Sequence, residues 1–110
     1  MNIPQRNHNP GNLVYAGQRE ATGKDEHGFA VFPDDPAGFR ALVAQIKLDQ
    51  ARKLTLDQFT AKYDKDANER NYLNRFMDEF KVDKNYPIVS LSAYAMMGVI
   101  ASEEGYLAPN

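Results

Sequence analysis

Residues 92–106 read Ser-Ala-Tyr-Ala-Met-Met-Gly-Val-Ile-Ala-Ser-Glu-Glu-Gly-Tyr, and this stretch decides the fold. From Ala93 to Ala101 it carries no charge and is apolar all round. A helix without a polar face belongs at the centre of a domain, so this one is expected to be buried on every side. Ser90 or Ser92 supplies its N-cap and Gly105 its C-cap. Gly98 costs roughly 1 kcal/mol relative to alanine in a helix interior, which implies a neighbouring segment packed closely against it.

Working back along the chain, helical patterns come first. Tyr72, Leu73, Phe76 and Phe80 mark a helix from about Asn68, broken by Asn85-Tyr86-Pro87. Tyr72 reads as packing. Thr55 and Gln58 form a capping box that opens a short helix with Leu56, Phe59 and Tyr63 inward. Asp35 and Pro36 read as an N-cap and first helical position, and Phe39, Leu42, Val43 and Ile46 follow on one face to about Arg52. Nearer the N-terminus, Gly28-Phe29-Ala30-Val31-Phe32 and Leu13-Val14-Tyr15 read as strands that pair in a small hairpin with a long polar loop. Arg6-Asn7-His8-Asn9-Pro10-Gly11-Asn12 is turn chemistry throughout. The fold class is therefore mainly α (α+β), with residues 1–110 as a single domain.

Composition narrows the chemistry. The 110 residues are 43% apolar and 25% charged, which is ordinary for a globular chain. Cysteine is absent, so disulfides, thiolate metal sites and cysteine nucleophiles are excluded. With only His8 and His27, a three-histidine zinc centre is impossible, and neither a metal nor a cofactor is expected. Thirteen basic residues against fifteen acidic ones give a net charge of −2, with no dense basic face for nucleic acid. The opening Met-Asn-Ile-Pro-Gln-Arg has no signal-peptide character, and the longest uncharged run, 85–102, is too short and mixed to span a membrane.

The candidate chemistry lies at Glu103 and Glu104. Apolar surroundings and the negative end of a helix dipole both disfavour a charged carboxylate. A carboxyl kept protonated near neutral pH is what a general acid requires. Helical spacing does not choose between the two, and a solvated last turn explains the pair equally well. Asn9 and Asn12 have the amides to bond sugar acetamido groups. Tyr15, Phe29 and Tyr106 have the aromatic faces for a sugar platform. Glu20, Asp25 and Glu26, in the long loop, are candidates for the second carboxylate of a hydrolase.

Arg6-Asn7-His8-Asn9-Pro10-Gly11-Asn12-Leu13 resembles the Arg-Asn-Asn-Asn-Pro-Gly-Asn-Ile/Leu opening of a family of phage and prophage virion proteins. Gly28–Phe32, Asp35–Leu42 and the closing Glu103-Glu104-Gly105-Tyr106 resemble that family's later segments. The chain is also similar to lysozyme-like glucosaminidases and lytic transglycosylases. In those, a buried helix ends in Glu-Ser-Gly-Trp and an Asn-rich segment follows. Here Ala101–Tyr106 resembles the helix end and Asn9–Leu13 the Asn segment, in the inverted order of a circular permutant. The resemblance implies a lysozyme-like domain, with a small β-hairpin and a buried C-terminal helix, that cleaves peptidoglycan glycan strands, with Glu103 as general acid/base. It implies peptidoglycan or a related glycan as partner, other virion proteins as further partners, and a virion or host-cytoplasm location before release. A non-catalytic virion structural or glycan-binding protein shares every one of these features. A helical adaptor that binds a protein through an apolar face would need neither the Asn-Pro-Gly-Asn turn nor the terminal glutamates.

Overall fold

A computed structural model describes residues 1–66 and 68–106. Five helices and one two-stranded sheet follow in chain order: α1 (Ile3–Arg6), β1 (Gly23–Lys24), β2 (Ala30–Val31), α2 (Asp35–Ala51), α3 (Leu56–Ala61), α4 (Asn71–Phe80) and α5 (Ala93–Glu103). A single 3₁₀ turn, Ile88–Ser90, precedes α5. About half of the chain is helical, in agreement with a mainly α class. The radius of gyration, 13.5 Å, is that of a compact chain of this length.

The caps explain where the helices begin. Asp34, one residue before the expected position, accepts the Ala37 amide at 2.9 Å and caps α2. Thr55 and Gln58 make the reciprocal capping box of α3, and Ser92 caps α5. Gly105 closes α5 with φ +74°: its N–H donates to Ser102 O, and the Tyr106 N–H donates to Ala101 O. This Schellman pair needs a left-handed residue, which glycine adopts without strain. The capping box of Asn2 and Gln5 builds α1 inside a segment that the sequence presents as irregular.

The core fills the space between helices. Leu42 and Ile46 of α2, Phe59 of α3, Phe76 of α4, Ile88 of the 3₁₀ turn, and Met96 and Ile100 of α5 are wholly buried. Each fully buried side chain of this size stabilises the fold by roughly 1.5–3 kcal/mol. α2 packs against α5, α3 against α4, and α4 against α5. Gln50 joins α2 to the 3₁₀ turn by donating to the carbonyls of Ile88 and Leu91, each at 2.9 Å.

α5 differs from the expected central axis. Met96, Val99, Ile100 and Ala101 face the core, but Ala95 is exposed and Tyr94 is 63% exposed. Among the described residues the helix lies at the edge of the domain, with its outer face at Tyr94 and Ala95 uncovered. Gly98 has open space around it, so no segment among the described residues presses against it. The close approach occurs at Gly38 of α2, where an added methyl would land on the His8 carbonyl oxygen and the Pro10 ring.

The expected pairing of 13–15 with 28–30 forms as a single antiparallel bridge, and the two-stranded sheet itself has a further, unexpected partner. β1 pairs antiparallel with β2, Gly23 opposite Val31 and Lys24 opposite Ala30. Leu13-Val14-Tyr15 lies along the other side of the 28–30 segment: Val14 bridges Phe29, and the Ala30 N–H donates to Leu13 O at 2.9 Å. Ala30 and Phe32 point inward, as the alternation predicts. The Gly-Lys strand carries no β-forming residue to announce it.

Two glycine substitutions test this packing. Gly98→Ala should stabilise the protein by about 0.5–1 kcal/mol through helix propensity alone. Gly38→Ala gains the same propensity but meets backbone, and should destabilise by about 1–3 kcal/mol. Thermal unfolding followed by circular dichroism should move the two melting temperatures in opposite directions. A rise in both would contradict the contact at Gly38.

Candidate functional site

The Asn-rich opening builds one wall of a cleft. Asn9 is fully buried, and its amide is spent on the backbone. Its Nδ2 donates to Leu13 O at 3.0 Å and Ala30 O at 2.9 Å, and its Oδ1 accepts the Leu13 N–H at 2.9 Å. Asn9 is thus a scaffold residue; the acetamido-binding role expected of it does not fit its position inside the fold. Asn7 is buried too, donating to Asp25 Oδ2 at 2.8 Å and accepting the Phe32 N–H. These bonds set Gly11, Asn12, Leu13 and Val14 along one side of a cleft, with Asn12 in the left-handed region at φ 48°. The Asn12 Oδ1 is buried with no hydrogen-bond partner among the described residues.

The opposite wall is the chain between α3 and α4: Lys62, Tyr63, Asp64 and Lys65. Between the walls, with Phe29 on the N-terminal side, an open cleft of about 320 Å³ has Glu104 in its lining. This is within the range of small-ligand sites. A second depression adjoins it, sharing Tyr63, Asp64, Lys65 and Glu104 and adding Tyr72 and Glu103.

The two glutamates face different partners. Glu104 is half-buried and accepts a short hydrogen bond from the Tyr72 hydroxyl. Burial, and then the bond to and charge of Glu104, raise the Tyr72 phenol far above its ordinary range, so it remains a donor. Burial likewise raises Tyr63, followed by the charges of Asp49 and Glu104. The Tyr63 and Tyr72 rings pack at 5.4 Å. Glu103, the residue that the helix-end motif singles out, instead pairs with Arg75 of α4 at 2.8 Å. It borders the second depression and not the cleft of Asn12 and Phe29.

Two buried carboxylates fix the far wall. The Asp64 side chain is 2% exposed; it accepts the Tyr72 N–H at 2.6 Å and Arg70 Nε at 2.9 Å. It serves as the cap of α4, because the helix's own N-cap residue, Arg70, makes no side-chain cap. Asp49 of α2 is fully buried and pairs with Lys62 and, at 3.3 Å, with Arg52. Only the carboxylate is buried in these pairs, the Lys62 and Arg52 side chains being 41% and 57% exposed, so solvent screens them and their part is to position the wall.

The other expected site residues scatter. Phe29 lines the cleft. Tyr15 is 39% exposed and lies outside both depressions. Tyr106 turns to the start of α2, where its hydroxyl bonds Asp35 and its ring meets Phe39 edge-on at 5.4 Å. Glu20 pairs with Arg40, and Glu26 with Arg6. Asp25 accepts the His27 and Phe29 amides. None of these three loop carboxylates lines the cleft. Tyr72 reads as packing from its core spacing, which gives no sign of its hydroxyl bond to Glu104, and the charges of Asp64 and Lys62 in a polar connection carry no distinctive pattern. Among the described residues, no three histidines or carboxylates gather as a metal site would require. Compared with known proteins, the chain matches no family model, no curated protein and no solved structure.

Two carboxylates that hold the N-terminal wall set an acid limit. Burial works to raise Asp25, but hydrogen bonds from Asn7, Phe29 and His27 outweigh it and hold the carboxyl below its ordinary range. Bonds from Tyr106 and then His8 lower Asp35 in the same way. A depressed folded pKa contributes stability that is present above the unfolded value, roughly 3.9, and is lost as pH falls through the folded value. The melting temperature should therefore hold from pH 7 to about 5 and drop below about 4. In Asp25→Asn, less stable at neutral pH, the acid drop should be smaller. An equal drop in both proteins would remove Asp25 from the account.

Proposed function

We propose that the chain is a lysozyme-like domain, of phage or prophage origin, that cleaves the glycan strands of peptidoglycan. The observation that carries this reading is the shared cleft: a glutamate from the last helix end and the Asn12 turn from the start of the chain line one depression. Those two elements are neighbours in the lysozyme-like enzymes that the sequence resembles, where they occur in the opposite order. Termini often lie close together in folded domains, so such a permutation is physically tolerable.

Geometry favours Glu104 over Glu103 as the acid. Glu104 lines the cleft, whereas the Glu103 carboxylate is paired with Arg75. In this mechanism Glu104 protonates the leaving glycosidic oxygen, and the Tyr72 hydroxyl holds the carboxyl in place. Asp64, the other carboxylate in the lining, is spent on the cap of α4 and on Arg70. A hydrolase with two working carboxylates would need one of them free. A single acid/base suits lytic transglycosylation, in which the sugar's own 6-hydroxyl closes an anhydro ring and water takes no part. Delivery within a virion and contact with other virion proteins belong to the same proposal, as does a target in the cell wall. Among the described residues no helix is long and apolar enough to cross a membrane.

Zymograms and turbidity assays on purified cell walls test the assignment. Glu104→Gln should lower cleavage by about 10²–10⁴-fold with the fold intact, since the amide keeps its shape but delivers no proton. Glu103→Gln should cost much less. The reverse ranking would return the role to Glu103. Saturable glycan binding with no cleavage by the wild type would favour the non-catalytic glycan-binding reading.

A further inference from the structure

The cleft has one charged wall and one apolar wall, and the asymmetry points to the ligand. On the N-terminal side stand Gly11, Leu13, Val14 and Phe29 around the one polar residue Asn12, with no ionisable group. On the other side stand Lys62 and Lys65. The two lysines differ in how they are held. The Lys62 ammonium is tied to the fully buried Asp49, which fixes its position, and its side chain is still 41% exposed. An ammonium has three donors, so the bond to Asp49 leaves others for a ligand. Lys65 is exposed, makes no ion pair among the described residues, and lines both the cleft and the adjoining depression.

Of the acidic groups in the adjoining depression, Glu103 is paired with Arg75, while among the described residues Asp66 and Glu69 accept only the Asn68 amide and the Asn71 side chain; those of the cleft itself are answered from within. Asp64 is satisfied by Arg70 and the amides of α4, and Asp49 by Lys62 and Arg52. Glu104 is the remaining carboxyl in the lining, and it accepts the Tyr72 hydroxyl. A neutral sugar chain gives the Lys65 ammonium nothing to pair with, and Lys62 nothing beyond Asp49. A carboxylate does, and compact point charges of this kind suit a substituent whose position varies.

Building on the glycan-cleaving reading, we infer that this wall makes the cleft selective for glycans that bear carboxylates, with Lys65 as a specificity-determining residue and Lys62, positioned by Asp49, as its fixed partner. The apolar wall takes the sugar faces and acetamido methyls. The lysine wall takes the anionic substituents that project from alternate sugars. In a cell-wall glycan these carboxylates have two sources, the lactyl ether on the sugar and the peptide stem attached to it.

Calorimetric titration of the whole protein with three soluble oligosaccharides of equal length tests this. The first is neutral N-acetylchitooligosaccharide, the second carries lactyl carboxylates without peptide, and the third carries peptide stems. At low salt, at least one anionic probe should bind about ten-fold or more tightly than the neutral one, and added salt should shrink that advantage. Lys65→Glu should abolish the advantage, weakening binding of the anionic probes far more than that of the neutral sugar. Lys65→Gln should reduce it, and Lys81→Glu, the same charge change on a residue that lines neither depression, should not. If only the stem-bearing probe gains, the peptide carboxylates are the ligand; if both gain, the lactyl group suffices. Equal binding of neutral and anionic probes, unmoved by Lys65→Glu, would overturn the inference while leaving the glycan reading in place. No binding of any probe would overturn both.

Discussion

The left-handed turn at Gly105 is the constraint on which the site depends. It ends α5 with Glu104 as the last capping residue and reverses the chain immediately. The reversal brings Gly105 O to the Asn2 amide at 3.1 Å and the Tyr106 hydroxyl to Asp35. Residues 105 and 106 are thereby fastened to Asn2 and to the start of α2. Without that turn α5 would continue past Glu104, and its carboxyl would have no fixed relation to the N-terminal segment. Gly38 makes the complementary concession, letting α2 approach the His8–Pro10 backbone.

The opposite wall is held by charge rather than by hydrophobic packing. Asp64 takes over the cap of α4, and Arg70 joins it at 2.9 Å while also pairing with Asp57 of α3 at 2.7 Å. Asp49 reaches from α2 to Lys62. Taking charges out of water is expensive, and apolar residues of similar shape would often serve stability as well or better. Here the arrangement fixes residues 62–65 relative to three helices, and those residues face Glu104. The Tyr63 and Tyr72 rings sit against this frame and pass the positioning on to the glutamate.

Much of the frame was legible in the sequence. Thr55 with Gln58, Ser92, Gly105 and the apolar spacing of Leu42, Val43 and Ile46 each act locally, and each is found in its expected role. The alternation of 29–32 is local as well. What escaped reading is non-local. Nothing about Asn9 in isolation tells that its amide would be buried between two carbonyls instead of facing a ligand. An apolar nonapeptide is the same string whether covered on all sides or, as with Tyr94 and Ala95, on one. The choice between Glu103 and Glu104 depends on which helical neighbour each meets, Arg75 or Tyr72, and both lie about thirty residues away in sequence. The four-residue α1 had a visible capping box in Asn2 and Gln5, hidden by the turn residues that follow it.

A cleft with one unspent carboxyl should break the glycan strand without water. Digestion of purified cell walls in heavy-oxygen water, with mass spectrometry of the released fragments, tests this directly. The released fragments should be one water lighter than hydrolysis products, ending in an anhydro ring and free of the isotope. Fragments carrying heavy oxygen at the new reducing end would contradict it.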